Sequence, residues 1–190
     1  MLGTPWEEFR KRAPAKERER TGVDEQLQLL MDKRRIEEMI VEYGFACDFR
    51  TWDVLEELYD ETIDREMTGT LSETVKGRAN LIELHRNPVL PRAAGVNMVK
   101  VDLGRFRNRE IRHMITTRLV RVADDNQKAW ALCYYQMALV GEDDEGWHHG
   151  LHEGTYVFSF GKDSGIWRFT QHLIWTNNAV NPMFGQQKAK

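Results

Sequence analysis

The segment most informative about the fold spans residues 35–59 and reads RIEEMIVEYGFACDFRTWDVLEELY. Its first half repeats apolar residues at the three-to-four-residue spacing of a helix with one buried face: Ile36, Met39, Ile40, Tyr43 and Cys47. Such a face needs a sizeable core or cavity wall opposite it. Asp48 follows at the end of this face, a position where aspartate is also commonly a helix cap or a solvated charge.

The sequence around this segment predicts three helices. The long helix is expected from Glu25 to Cys47, and Thr51 is a suitable N-cap for a second helix that holds Trp52 to Tyr59. A third helix is predicted over 78–86, where it ends before a proline. The following segment predicts a loop placed to cover a pocket, and it contains Pro88, Pro91 and Gly95.

From Arg112 onward the chain changes to long β-rich runs separated by polar turns. The runs are residues 113–123, 128–140, 151–160 and 166–176, and the turns read DDNQ, GEDDEG and GKDSG. Four such runs predict an antiparallel meander. Helices followed by a meander predict an α+β domain whose curved sheet wraps round the helices and encloses a cone-shaped pocket.

Composition predicts one domain and a small-molecule ligand. The 190 residues suffice for residues 25–185 to form a core, preceded by a charged arm over 1–24 and followed by a tail over 186–190. We expect the arm to stay mobile or to wrap a neighbouring subunit. The net charge of -3 comes from interspersed acids and bases, so the sequence predicts neither a nucleic-acid nor a membrane partner.

The cysteine pattern predicts a cytoplasmic protein. Cys47 and Cys133 lie in apolar surroundings and lack the C-x-x-C spacing of redox or metal motifs. Buried thiols in a reducing compartment fit this pattern better than a disulfide does.

His113 opens the first meander strand and is the candidate to meet Asp48 where the helices close on the sheet. A carboxylate beside an imidazole fixes its tautomer and stabilises the imidazolium formed when it takes a proton. The pair would then be a general-base dyad, with Tyr43 and a second tyrosine as neutral donors. The alternative is a strand-end histidine bonded only to backbone.

Aromatic residues on the predicted strands favour an aromatic or polycyclic ligand. One face of the second meander strand carries Trp130 to Gln136, and one face of the last carries Trp167 to Asn177, with a few polar groups among the rings. Filling of the core is the alternative, and it is preferred for Trp167 and Phe169. The predicted substrate contacts are Tyr59, Trp52, Arg112, Tyr134, His152, Trp175 and Asn177.

The run GWHHGLHEG invites a metal interpretation that its spacing does not favour. On a strand, His149 and His152 point to opposite faces, so no metal site is predicted. His152 alternates with Gly154 and Tyr156, which favours a proton donor or hydrogen-bond partner facing the pocket. The chain has no G-x-G-x-x-G, Walker or G-x-S-x-G motif, so we expect no cofactor.

Three runs resemble the SnoaL-like branch of the nuclear-transport-factor-2-like superfamily: EYGFACDFRTWDVLEELYDETI, IRHMITTRLVRV and GIWRFTQHLIWTNNAVNP. The resemblance covers residues 27–185 and is strongest to the group of scytalone dehydratase, bile-acid 7α-dehydratase and hexachlorocyclohexane dehydrochlorinase. It implies a cystatin-like fold in which Asp48 pairs with His113. Tyr43 matches a tyrosine of the bile-acid enzyme, whereas the second tyrosine of scytalone dehydratase falls near Met67, so its water-mediated arrangement does not carry over.

The resemblance implies a lyase that needs no cofactor and forms a homo-dimer or homo-trimer. The leading expected reaction is removal of a proton and loss of water from a small hydroxylated aromatic or alicyclic substrate. One alternative is carbon–carbon cleavage that releases formaldehyde from a lignin-derived diarylpropane diol. Another is a non-catalytic ligand-binding or assembly module.

Overall fold

The computed structural model describes residues 3–68, 73–86, 107–144 and 146–176. The helices in these ranges are α1 (Pro5–Arg12), α2 (Val23–Phe49), α3 (Trp52–Leu58) and α4 (Arg78–Arg86). The strands are β1 (Tyr59–Thr68), β2 (Glu73–Lys76), β3 (Arg107–Val122), β4 (Lys128–Asp143), β5 (Gly146–Asp163) and β6 (Ile166–Thr176). The predicted α+β class and the predicted helix over 78–86 are therefore confirmed.

The described strands form one sheet in the order β2-β1-β6-β5-β4-β3. Strands β3 to β6 are the predicted antiparallel meander. Strand β1 joins the meander in parallel beside β6, and β2 pairs with β1 antiparallel. The sequence analysis missed β1 and β2, because YDETIDREMT has too few apolar residues to show the alternation of a strand.

The inner face of the sheet, defined as the face toward α2, holds the main core. The predicted apolar face of α2 packs there, with Ile36, Met39 and Ile40 buried completely. This helix runs two residues beyond Cys47, so Asp48 lies in its last turn and not after its end. The helix stops at Arg50, whose left-handed conformation (φ 58°) closes the last turn.

The outer face of the sheet is covered by the N-terminal arm. Helix α1 is capped by Thr4 and Glu7, and it buries Phe9 and Ala13 against Val157 and Leu173. The rest of the arm reaches the edge strand, where Glu17 accepts a hydrogen bond of 2.9 Å from the backbone N–H of Val122. The arm therefore folds onto its own sheet, which differs from the expected mobile segment or wrap round a neighbouring subunit.

Bulges change which residues face inward. On β6, Phe160 pairs with Phe169 and Ser159 with Gln171, so Thr170 is an extra residue. Phe169 lies on the inner face before the bulge, but Leu173 lies on the outer face after it. The pairing register of β3 with β4 also shifts between Thr116 and Leu119, next to Thr117, whose φ is 51°. A strict alternation read from the sequence fails across such positions.

Candidate active site

Asp48 and His113 are in direct contact in the interior. The His113 Nδ1 lies 2.6 Å from Asp48 Oδ1, and the His113 backbone N–H donates to Asp48 Oδ2 over 2.9 Å. The two side chains are only 4% and 7% exposed. The predicted pairing of these residues is therefore present, although His113 lies well inside β3 and does not open a strand.

Helix α2 brings the carboxylate to β3 on the face that also carries Gly44, one turn earlier. A Cβ atom on Gly44 would lie 3.5 Å from the Cβ of His113, so the helix and β3 already approach to van der Waals distance there. Gly44 and Asp48 stand four residues apart and share one helix face. A Cβ at position 44 would make only ordinary contacts with β3, and one turn later the Asp48 carboxylate reaches the backbone N–H and the imidazole of His113.

The geometry fixes the tautomer of His113. An ionised carboxylate accepts hydrogen bonds only, so Nδ1 carries the proton toward Asp48 and Nε2 is left as the basic nitrogen. A buried charged acceptor holds the ring in one orientation. This arrangement suits proton abstraction by Nε2, with Asp48 as the positioning residue.

Tyr43 lies at the centre of an aromatic and histidine cluster. Its ring centroid is 6.0 Å from that of His113, 6.3 Å from His85 and 5.3 Å from His172. The Tyr43 hydroxyl contacts the Cys47 thiol one turn along α2, and burial raises the Tyr43 pKa well above its usual value. Tyr43 is consequently a neutral residue at physiological pH, available only as a hydrogen-bonding group.

Three histidines of the interior are held in the neutral form. Removal from water, with the charge of Arg65 as a smaller cause, lowers the pKa of His85 to about 3. Burial first and the charge of His113 second lower the pKa of His152 to about 4. Burial also holds the His172 pKa well below its usual value. At neutral pH each of these rings offers one N–H donor and one acceptor nitrogen, and no charge.

Three of the predicted substrate contacts lie in this interior. Tyr59 is buried and its hydroxyl lies 3.2 Å from His85 Nε2. The Trp52 ring stacks on His85 at 6.5 Å. His152 is buried beside Tyr135, whose hydroxyl lies 3.3 Å from Nδ1. Trp52 lies on α3, Tyr59 on β1, His85 on α4 and His152 on β5. In addition to burial, the charge of His113 lowers the pKa of both His85 and His152.

Three other predicted contacts point away from the interior. Tyr134 is 58% exposed, because the inward position on β4 belongs to Tyr135. Trp175 lies on the outer face and donates to the Gly3 carbonyl, because the Thr170 bulge inverts the alternation of β6. Arg112 faces outward beside inward-facing His113, with its side chain 50% exposed and paired with Glu110. None of these three side chains lies in the interior that holds His113.

Arg65 is an interior residue that the sequence analysis missed. It lies on β1 between Ile63 and Met67, which belong to the inner core, and it is 8% exposed. The segment was not expected to be a strand, so nothing marked its arginine as inward-facing. Ile63 and Met67, each two residues from Arg65, were the weak signal that could have found it.

Several predictions lie outside the described residues. Asn177 and the loop with Pro88, Pro91 and Gly95 belong to this group, as do the side chains of His148 and His149. Among described side chains, no three histidines, cysteines or carboxylates come together as a metal site. Both cysteines are free and buried, as predicted. No helix in the described ranges has the length and apolar character needed to cross a membrane.

The chain belongs to the SnoaL-like domain family, whose profile matches residues 28–172. A comparison with curated protein sequences gave no match. The family match confirms the resemblance found in the sequence.

Solved structures share this fold at low sequence identity. A hexachlorocyclohexane dehydrochlorinase from Novosphingobium barchaimii is 17% identical with a TM-score of 0.61, covering 84% of this chain and 92% of that one. A candidate scytalone dehydratase from Novosphingobium aromaticivorans is 16% identical (TM-score 0.59; 85% and 97% covered). An NTF2-like protein of cystatin-like fold from the same organism is 21% identical (TM-score 0.55; 85% and 92%). These similarities confirm the predicted cystatin-like α+β fold.

Proposed function

We propose that the protein is a cofactor-independent lyase that acts on a small hydroxylated aromatic or alicyclic substrate. The observation that carries this proposal is the buried contact between Asp48 and His113, which leaves Nε2 of His113 as a base directed by a carboxylate. Membership of the SnoaL-like family and the dehydrochlorinase and dehydratase names of structural neighbours support it.

In the proposed reaction, His113 Nε2 removes a proton from a carbon of the substrate. The electron pair of that C–H bond forms the new double bond, and the C–O bond to a neighbouring hydroxyl breaks. The departing oxygen takes up a proton and leaves as water. His85 and His152 are neutral near pH 7, because their pKa values lie at about 3 and about 4. The His113 imidazolium is therefore the proposed source of that proton, and the neutral rings orient the substrate by hydrogen bonds.

The test measures product formation by ultraviolet absorbance, because elimination creates a conjugated product. The panel contains scytalone, hexachlorocyclohexane and a 1,2-diaryl-1,3-propanediol, and a formaldehyde assay detects carbon–carbon cleavage in the last. We expect turnover of at least one hydroxylated compound, reduced about 10²–10⁴-fold in His113→Gln. Arg112→Gln is the matched control, since Arg112 lies on the same strand but faces outward.

Two outcomes would contradict the proposal. Turnover in His113→Gln equal to that of the wild type would exclude His113 as the base. Binding of the panel compounds without turnover by the wild type would favour a ligand-binding module. Release of formaldehyde from the diol would show that the bond broken is C–C and not C–O. His113 would remain the proposed base.

A further inference from the structure

Arg65 places a positive charge in the interior that also holds the Asp48–His113 pair and the aromatic and histidine cluster. The guanidinium is charged at all physiological pH values. It is 8% exposed, and it shares the inner face of β1 with Ile63 and Met67. The guanidinium carries five N–H donors in a planar fork, so it can donate to a ligand oxygen in addition to its contacts within the protein.

The charge of Arg65 changes the pKa of several residues of the aromatic and histidine cluster. It lowers the pKa of His85, His152 and His172, and it partly offsets the rise that burial causes in the pKa of Tyr43 and Tyr59. These groups come from α2, β1, α4, β5 and β6. In addition to burial, Arg65 and His113 both lower the pKa of His85, His152 and His172, so the two residues act on the same interior groups.

His172 is the immediate neighbour of Arg65 on the adjacent strand. The two residues are register partners in the parallel pair of β1 and β6, so their side chains leave the inner face side by side. The His172 ring is completely buried between the rings of Tyr43, Tyr156 and Phe158, at centroid distances of 5.3, 4.7 and 4.4 Å.

Both ring nitrogens of His172 lack a hydrogen-bond partner among the described residues. A buried polar atom left unsatisfied costs about 1–3 kcal/mol, so such atoms are rare unless they serve a ligand. His172 is neutral for the reasons given above, and its N–H can donate to an oxygen. The adjacent guanidinium donates as well.

We infer that Arg65 and His172 form a subsite that binds a negatively charged oxygen of the substrate, the oxygen of a phenolate or an enolate. This inference rests on the proposed function, because it specifies the substrate of the same site. When His113 removes a proton from carbon, the electron pair can delocalise onto a conjugated oxygen. Donors fixed in a water-poor interior stabilise that oxygen more strongly than water does. The substrate class is therefore a phenol or a carbonyl compound conjugated with the carbon that loses its proton.

The test uses 4-nitrophenol as the probe, because its phenolate absorbs visible light and its neutral form does not. The absorbance is titrated with protein at a pH below the pKa of the free phenol. We expect the wild type to bind the phenolate, visible as a lowered pKa of the bound probe. Arg65→Met and His172→Phe, which keep the side-chain bulk, should each weaken phenolate binding about tenfold to a hundredfold.

Further variants separate this inference from the proposed lyase activity. Asp48→Asn should lose turnover and keep phenolate binding. Arg65→Lys should keep part of the phenolate binding, because the positive charge remains. Circular dichroism shows whether each variant is folded. Arg65→Lys and His172→Asn are the second variants where Arg65→Met or His172→Phe fails to fold. The inference is overturned if the wild type binds the neutral phenol or no probe at all. It is also overturned if folded Arg65→Met and His172→Phe bind phenolate as the wild type does.

Discussion

The Asp48 carboxylate holds His113 at two points, the backbone N–H and the imidazole Nδ1. The first bond fixes β3 against the end of α2, and the second orients the ring. One side chain thus connects the fold to the proposed chemistry. Replacing it should affect both.

Asp48→Asn should lower turnover about 10²–10⁴-fold, because the amide cannot stabilise an imidazolium as a carboxylate does. It should also lower the free energy of unfolding by about 1–3 kcal/mol. The amide NH₂ of asparagine would replace one carboxylate oxygen, so one of the two His113 N–H donors would lose its acceptor. Steady-state kinetics and urea denaturation measure the two effects. The exposed Asp53→Asn is the control. Equal turnover in the two variants would remove Asp48 from the proposed mechanism.

Tyr135→Phe should cost about 1 kcal/mol of unfolding free energy, because it removes the hydroxyl that lies 3.3 Å from His152 Nδ1. Tyr134→Phe should leave stability within about 0.5 kcal/mol of the wild type, because its ring faces solvent. Urea denaturation of both variants measures the difference. A larger loss in Tyr134→Phe would show that the faces of β4 are reversed.

Stability should fall as the pH is lowered from 6.5 toward 4.5. The unfolded chain binds protons at His85, His152 and His172 in this range, whereas the folded chain does not, because their pKa values are lowered. The free energy of unfolding should therefore drop by about 1.4 kcal/mol per pH unit for each neutral histidine below its unfolded pKa. Carboxylates such as Glu8, whose pKa is lowered from 4.5 to about 2 by Lys11 and Arg12, contribute chiefly at lower pH.

Urea denaturation between pH 7 and 4.5 measures this slope. His152→Phe should reduce the slope by about 1.4 kcal/mol per pH unit, because one of the three titrating histidines is removed. A wild-type stability that stays constant over this range would contradict the neutral state of the three histidines.

Gly154→Ala should destabilise the protein by about 1–3 kcal/mol or more, because a Cβ atom there would lie 1.8 Å from the Trp175 carbonyl oxygen. The neighbouring backbone of β6 cannot move aside without breaking its pairing. Gly44→Ala is the matched control, since its Cβ meets only ordinary contacts of 3.5 and 3.6 Å. It should raise stability by up to about 1 kcal/mol, because alanine favours the helix. Thermal unfolding distinguishes the two.

Phe9→Ala should lower the free energy of unfolding by about 3–5 kcal/mol, because Phe9 is buried with Val157 and Leu173 on the outer face. Trp6→Ala should cost clearly less, since Trp6 is half-exposed and stacks on Phe9 from the solvent side. Equal small effects in denaturation experiments would show that α1 leaves the sheet in solution.

Much of the fold could be predicted because its signals are local. The apolar stripe of α2 repeats along one helix, and the meander strands are bounded by polar turns. Strand β1 escaped prediction because its core-facing residues are separated by charged ones. The position of the arm escaped prediction because a short capped helix with one buried aromatic residue, Phe9, does not show which surface it covers.

The candidate site was predicted only in part. The sequence placed Asp48 and His113 together, but it assigned Tyr134 and Trp175 to the wrong face and left Arg65 unnoticed. Both faces of β4 carry apolar residues, because α2 covers one and α1 the other. Periodicity alone cannot then tell the inner face from the outer face.

The sequence by itself determined the long helix with its apolar face, the strand that carries His113 and the family to which the chain belongs. These features depend on spacing within short segments. The tertiary structure alone decided which side chains meet: the extra residue at Thr170 turned Trp175 outward, and the parallel pairing of β1 with β6 set Arg65 beside His172. Such contacts join residues far apart in the chain, and their geometry follows from register and bulges that no local pattern encodes.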